Sequence, residues 1–224
     1  MKRFTPAVII ALFVAICSTV PALADDWLAA KLRGTVLRLV DGAWTPLHRG
    51  DVVPNTDVIR TLANGSVQFT RDAEVIDLGP NTQIQIFDKN GQRFTTVKQY
   101  FGTVAIEANV ENVQHFAVQT PLLAAVVKGT KFVVTSGKDS ASVKVLRGHV
   151  AVENLVQHST VTVSEGQTAQ TSADEGLVVG GAGDLPAVAH VNDKASKGSK
   201  GGNSGSSGAN DHGNGGGKGN GGGD

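Results

Sequence analysis

The chain has 224 residues, with 20 basic and 20 acidic side chains and a formal net charge of zero at pH 7. A balanced charge gives no general electrostatic reason to bind nucleic acid or an anionic membrane. Its single cysteine, Cys17, rules out a disulfide scaffold and a cysteine-ligated zinc site.

The N-terminal segment has the three parts of a secretory signal. Lys2 and Arg3 supply the positive start, Ala7 to Ile16 the apolar core, and Ala22-Leu23-Ala24 the small residues read by a signal peptidase. Cleavage is expected between Ala24 and Asp25, which makes residues 1–24 a signal peptide and the destination the periplasm or the exterior of a bacterial envelope. The apolar run is about half of the roughly 20 residues a spanning helix needs, and Pro21 with Asp25-Asp26 ends it, so no membrane span is expected after processing. Ile16 is bulky where lipid attachment at Cys17 requires a small residue, so Cys17 is expected to leave with the signal. The remaining chain then carries 18 basic against 20 acidic residues and no thiol.

Residues 25–192 read as one all-β domain. Val36-Leu37-Arg38-Leu39, Val67-Gln68-Phe69-Thr70, Ile84-Gln85-Ile86, Val104-Ala105-Ile106-Glu107, Phe116-Ala117-Val118, Val143-Lys144-Val145 and Val161-Thr162-Val163 alternate or run apolar with β-branched residues, the period of half-buried strands. Only Trp27 to Leu32 leaves room for a turn or two of helix. Asn64-Gly65, Asn90-Gly91 and Gly79-Pro80-Asn81 are turn signals, and Asn90-Gly91 between two β-rich runs predicts a hairpin. Gly34-Thr35-Val36, Gly65-Ser66-Val67, Gly102-Thr103-Val104 and Gly148-His149-Val150 form a weak repeat with spacings of 31, 37 and 46 residues. That repeat fits stacked short strands, as a β-solenoid-like stack or a twisted β-sandwich, or is simply the frequent glycine ahead of a strand.

Residues 193–224 are glycine, serine and asparagine with scattered lysines, too poor in apolar surface to offset ordering entropy, and are expected to form a disordered tail. Gly215-Gly216-Gly217-Lys218-Gly219-Asn220 lacks the aspartate and apolar positions of a calcium-binding repeat, and Asp211-His212 offers one imidazole where a metal needs three or four ligands.

No catalytic constellation emerges from the residues, and no cofactor or metal site is expected. His48, His115, His149, His158, His190 and His212 are scattered and read as surface residues. Asp72 and Glu74 would share one face of an extended strand and Asp77 the other, which reads as a solvated face. Lys128-Gly129-Thr130 lacks the long glycine loop and helix of a phosphate-binding motif. Trp27, Trp44 and Tyr100 lie far apart in the chain and form no evident aromatic platform.

The richest stretch is Thr120-Pro121-Leu122-Leu123-Ala124-Ala125-Val126-Val127-Lys128-Gly129-Thr130-Lys131-Phe132-Val133-Val134, followed by Val143-Lys144-Val145-Leu146-Arg147-Gly148-His149-Val150-Ala151-Val152. Upstream stand Pro46 to Val53, Asp57 to Thr61, Ala63 to Phe69 and Leu78 to Ile84, and downstream Val163 to Gln167. In this order the pieces resemble the FecR domain family over residues 31–171, with Thr120, Pro121, Lys128, Gly129, Thr130, Phe132 and Gly148 as signature positions of structural character. The resemblance implies an exported β-rich interaction or sensing domain. The family's archetypes are inner-membrane regulators that contact a TonB-dependent receptor outside and control a sigma factor inside. This chain instead begins with an expected cleavable signal and ends in a glycine-rich tail. The resulting expectation is a non-enzymatic FecR-like protein that binds an envelope protein as sensor or scaffold, the alternative being an adhesive module for glycan or surface polymer. The runs at Val143 to Val152 and Val161 to Val163 are expected to leave an open sheet edge for a partner, with Thr162 exposed on it.

Overall fold

The computed structural model describes residues 26–88 and 94–190. The expected signal segment with Ala24 and Asp25, the Asn90-Gly91 turn and the 193–224 tail lie outside the described residues. Within them the fold is all β, with eighteen strands and no helix. The first nine are β1 (Trp27–Arg33), β2 (Val36–Val40), β3 (Ala43–Pro46), β4 (Val52–Val53), β5 (Val58–Thr61), β6 (Ser66–Arg71), β7 (Glu74–Leu78), β8 (Gln83–Asp88) and β9 (Thr95–Glu107). The second nine are β10 (Phe116–Gln119), β11 (Leu123–Val127), β12 (Lys131–Ser136), β13 (Ser140–Arg147), β14 (His149–Asn154), β15 (Ser159–Ser164), β16 (Gln167–Ser172), β17 (Val178–Gly181) and β18 (Ala189–His190).

Their ladders trace two leaves joined by one strand. Leaf A runs β4-β1-β6-β7-β9-β12-β13-β16-β17. Leaf B runs β3-β2-β5-β8-β9-β10-β11-β14-β15-β18. β9 belongs to both: Thr95 to Phe101 pair with β8, whereas Gly102 to Glu107 pair with β12 in leaf A. All eighteen strands therefore form one mixed, open sheet, in which only the β9–β10 ladder is parallel.

Alternation decides which side of each leaf is buried. Val67 and Phe69 of β6 stand opposite Leu78 and Ile76 of β7, all buried, while Gln68 and Thr70 between them turn outward. In the same way Phe132 and Val134 of β12 oppose Val145 and Val143 of β13. Leaf B answers with Ile59, Ile84, Ile86, Val97, Phe116 and Val118, and the two inner faces make one core. Each such side chain contributes about 1.5–3 kcal/mol through removal from water. Trp27 to Leu32, where a helical turn was allowed, are strand: Trp27 and Ala29 enter the core and Ala29 pairs with Phe69, so tertiary burial overrides local preference.

The glycines of the weak repeat mark the passages between leaves. Gly34 takes the chain from β1 in leaf A to β2 in leaf B, Gly65 from β5 to β6, and Gly148 from β13 to β14. Gly102 does so inside β9, at φ 96°, where an added Cβ would stand 2.5 Å from Thr82 Cα, so only glycine fits the bend. The architecture is thus a two-leaved sandwich wound like a stack, and its spacings vary because each leaf receives hairpins of different length.

The open edges differ from expectation. β13 and β14 are interior, between β12 and β16 and between β11 and β15. Only β15 approaches an edge, where β18 covers Ser159 and Thr160; Thr162 is exposed as expected.

Candidate functional site

The signature residues build one corner of the sandwich. Thr120 closes the turn between β10 and β11: its Oγ1 accepts from the Leu123 and Leu122 amides at 3.0 and 3.2 Å, and its own amide donates to Leu123 O at 2.8 Å. Pro121 sits exposed in that turn, its fixed φ suited to the position. After β11, Lys128 is exposed and its carbonyl accepts from Glu111 N at 2.8 Å, while Thr130 O accepts from Ala108 N at 2.9 Å. Gly129 lies between them at φ 148°, and a Cβ there would be 2.5 Å from Val110 Cα. The Lys128–Thr130 backbone thus clasps the segment that leaves β9. Phe132 is fully buried between Val145 and Ile106 of the flanking strands. Gly148 lies against this corner, and a Cβ on it would be 2.9 Å from Thr130 Cγ2. Of these seven residues, only Pro121 and Lys128 are exposed.

A second cluster was not visible in the sequence. Arg71 Nη2 donates to Glu74 Oε2 at 2.9 Å, and Nη1 pairs with Asp88 Oδ2 at 2.9 Å. Thr95 Oγ1 accepts from Arg71 and donates to Asp88 Oδ1 at 2.6 Å. The guanidinium lies 4.4 Å from the Trp27 ring, which meets Phe116 edge-on. His115 Nε2 faces Glu74 Oε1 at 3.2 Å, and its Nδ1 lies 3.3 Å from Val113 O. Burial works to lower the Arg71 pKa, but hydrogen bonds and charge from Glu74 and Asp88 outweigh it and hold the group above its ordinary value. The surface reading of His115 and the solvated-face reading of Glu74 are therefore corrected: both are buried, Glu74 because the β6–β7 turn at Asp72 and Ala73 sets it opposite Arg71, and His115 because backbone bonds to Thr95 and Val127 hold its segment against the same cluster. Asp72 lies in that turn rather than beside Glu74 on a strand face, and Asp77 accepts from Gln68 on the outer side. The cluster ties β6, β7, β8 and β9 to the segment before β10.

The third feature is the outer face of leaf B. Trp44 stands opposite Leu39, and the Arg60 guanidinium lies 4.2 Å from its ring while Nε donates to Gln83 Oε1 at 2.8 Å. One strand further on, Tyr100 Oη donates to Gln85 Oε1 at 3.0 Å, Gln85 Nε2 donates to Thr56 O at 2.7 Å, and Lys98 Nζ lies 5.3 Å from the Tyr100 ring. Trp44 and Tyr100, far apart in the chain, thus share one polar–aromatic face, whereas Trp27 is core. The signal was present in the outward positions of alternating strands, Arg60 beside Ile59, and Gln83 and Gln85 around Ile84, but strand order was needed to assemble it. The other described histidines do not converge: His48 neighbours Asp51, His149 neighbours Ser164, His158 neighbours Glu153, and His190 is on β18. Among the described residues no group of three or more His, Cys, Asp or Glu could hold a metal ion, and no helix is long and apolar enough to cross a membrane.

Comparison with known proteins finds a family match at the centre of this fold. Residues 57–151 match the family described as FecR protein, a narrower stretch than the 31–171 of the motif resemblance. In leaf A the match takes in the contiguous strands β6, β7, β9, β12 and β13, and in leaf B β5, β8, β9, β10, β11 and β14, the last up to Ala151. Two crystal structures of a candidate anti-sigma factor from Parabacteroides distasonis are similar in fold, with a TM-score of 0.50 and 17% identity. Each alignment covers 55% of this chain and 59% of the other, so the chain spans only part of that protein's length. No curated protein matches the chain.

Proposed function

We propose that this chain, with a FecR domain at residues 57–151, is an exported regulatory or scaffold protein without catalytic activity that binds a protein partner in the bacterial envelope. The observation that carries the reading is the family match across the centre of both leaves, in a fold shared with a candidate anti-sigma factor. Export to the periplasm or beyond is supported by Lys2-Arg3, the apolar run and Ala22-Leu23-Ala24. Residues 25–192 are then the working domain and 193–224 a flexible extension. The outer face of leaf B is the proposed contact surface, because an aromatic ring, a stacked arginine and ordered amides are the residue types that anchor protein interfaces.

Cross-linking in intact cells with a photoreactive residue at Thr96, outward on the same face, tests the reading. A discrete envelope protein whose capture is lost in Trp44→Ala supports it; no adduct, or an adduct indifferent to Trp44, overturns it. A second reading, recognition of glycan or surface polymer, is favoured by the gathering of Trp44 and Tyr100 on one face, since flat aromatic surface also stacks on sugars. Binding on a glycan array that is lost in Trp44→Ala, with no protein adduct, would select it.

A further inference from the structure

We propose that the outer face of leaf A, where β1, β6 and β7 lie side by side, is a binding site for an anionic polysaccharide. The site lies on the other leaf from Trp44 and stands whether or not leaf B docks a protein.

The argument begins with a bulge. Ala29 pairs with Phe69, but Lys31 pairs with Gln68, so Ala30 is an extra residue in β1. Regular alternation after the buried Ala29 would turn Lys31 and Arg33 toward the core and Leu32 outward. The extra residue reverses this, bringing Leu32 in opposite Val67 and setting Lys31 and Arg33 outward opposite Gln68 and Ser66. Two residues of strand separate their side chains by about 7 Å.

A third cation comes from outside the strand. Arg49, in the loop after β3, donates from Nε to Ala30 O, the carbonyl of the bulge itself, at 3.1 Å. Lys31, Arg33, Arg49, Ser66, Gln68 and Asp77 line a groove of about 580 Å³ on this face. Asp77 is engaged with Gln68 Nε2 at 2.8 Å, and among the described residues none of the three cations has an ion-pair partner. Protection of an edge strand would explain the bulge, Lys31 and Arg33. It does not explain why an arginine from a separate loop is fixed by the bulge carbonyl onto the same groove.

Three cations without an ion-pair partner against one carboxylate select an anion, and the spacing of Lys31 and Arg33 along β1 suits negative groups repeated along a chain. The Ser66 hydroxyl and Gln68 amide add hydrogen-bonding groups suited to sugar hydroxyls. The groove lies on the face of the leaf, so an acidic peptide would gain no main-chain pairing from it. The near-zero net charge conceals this local excess.

The test is calorimetric titration of the purified full chain with oligogalacturonate, a phosphorylated mannose oligomer, a neutral glucose oligomer of the same length, and polyglutamate. Expected is binding of one or both anionic oligosaccharides, weakened by salt, with none of the neutral oligomer. The double variant Lys31→Gln/Arg33→Gln should weaken binding about tenfold, through loss of two charge-assisted contacts. Lys144→Gln, exposed elsewhere on leaf A, should bind as wild type, and both variants should keep the wild-type thermal midpoint. The wild-type comparison of charged and neutral oligomers needs no variant, so a folding defect in the double variant leaves the test intact. Failure to bind either anionic oligosaccharide, equal binding of the neutral oligomer, or preference for polyglutamate overturns the proposal.

Discussion

Gly148 and Thr130 meet at one corner of the sandwich: a Cβ on Gly148 would stand 2.9 Å from Thr130 Cγ2, so the two halves of the sequence signature are held against each other by the absence of a side chain. A graded prediction follows. Gly42 has φ 80° with open space around it, so Gly42→Ala should carry only the positive-φ cost, about 1 kcal/mol. Gly129→Ala adds a collision with the Val110 backbone and should cost about 3 kcal/mol. Urea unfolding of the two variants checks the order; equal losses would mean that the corner yields freely.

Phe132 is fully buried between two leaf A strands, and its truncation leaves a cavity that rigid strand pairing cannot close. Phe132→Ala should cost about 3 to 5 kcal/mol. The check is a shifted denaturation midpoint at unchanged slope.

Arg71 is the shared partner of Glu74 and Asp88. Arg71→Met keeps most of the volume and leaves both carboxylates without their guanidinium, so it should destabilise by about 3 to 5 kcal/mol. Thermal denaturation at pH 7 reads the loss, and intrinsic tryptophan fluorescence should change with it because Trp27 packs on the guanidinium.

Glu107 accepts from Lys131 at 3.2 Å and Arg147 at 3.3 Å, and the Lys131 hydrogen bond is the largest influence holding its carboxyl below the ordinary 4.5. A folded pKa below the unfolded one gives stability that is present above pH 4.5 and lost as pH falls through the folded value. The group is near the surface, and screening limits the effect to under about 1 kcal/mol. Wild type should exceed Glu107→Gln by that margin at pH 7, and the gap should close toward pH 3 and in ~0.5 M salt.

The proposed export would place the mature N-terminus at Asp25. N-terminal sequencing of protein recovered from the periplasm or medium should begin there; a lipid-modified Cys17 at the terminus would refute it.

The strands themselves were legible because their burial is one-sided: Val67-Gln68-Phe69-Thr70 and Val143-Lys144-Val145 announce β6 and β13 through alternation alone. The glycine repeat was legible as punctuation, and the structure gives it meaning as leaf crossings. What alternation cannot carry is strand order. Thr95 to Val97 and Val104 to Glu107 read as separate runs, yet Gly102 lets both lie on the single strand β9. His115 gave no sign of burial, because its partner Glu74 is 41 positions away and reaches it only through the β6–β7 turn. The outer-face pairing of Trp44 with Arg60 depends likewise on β2 lying between β3 and β5.

The sharing of β9 also governs how such a protein could change in size. A strand that serves both leaves at once leaves no place in the middle where a hairpin could be added or removed without severing one leaf or the other. Growth is confined to the two ends, where β1 to β4 and β15 to β18 flank the 57–151 segment. The centre then acts as a keystone, and the flanking strands are the margin in which such a fold can be fitted to one surface rather than another.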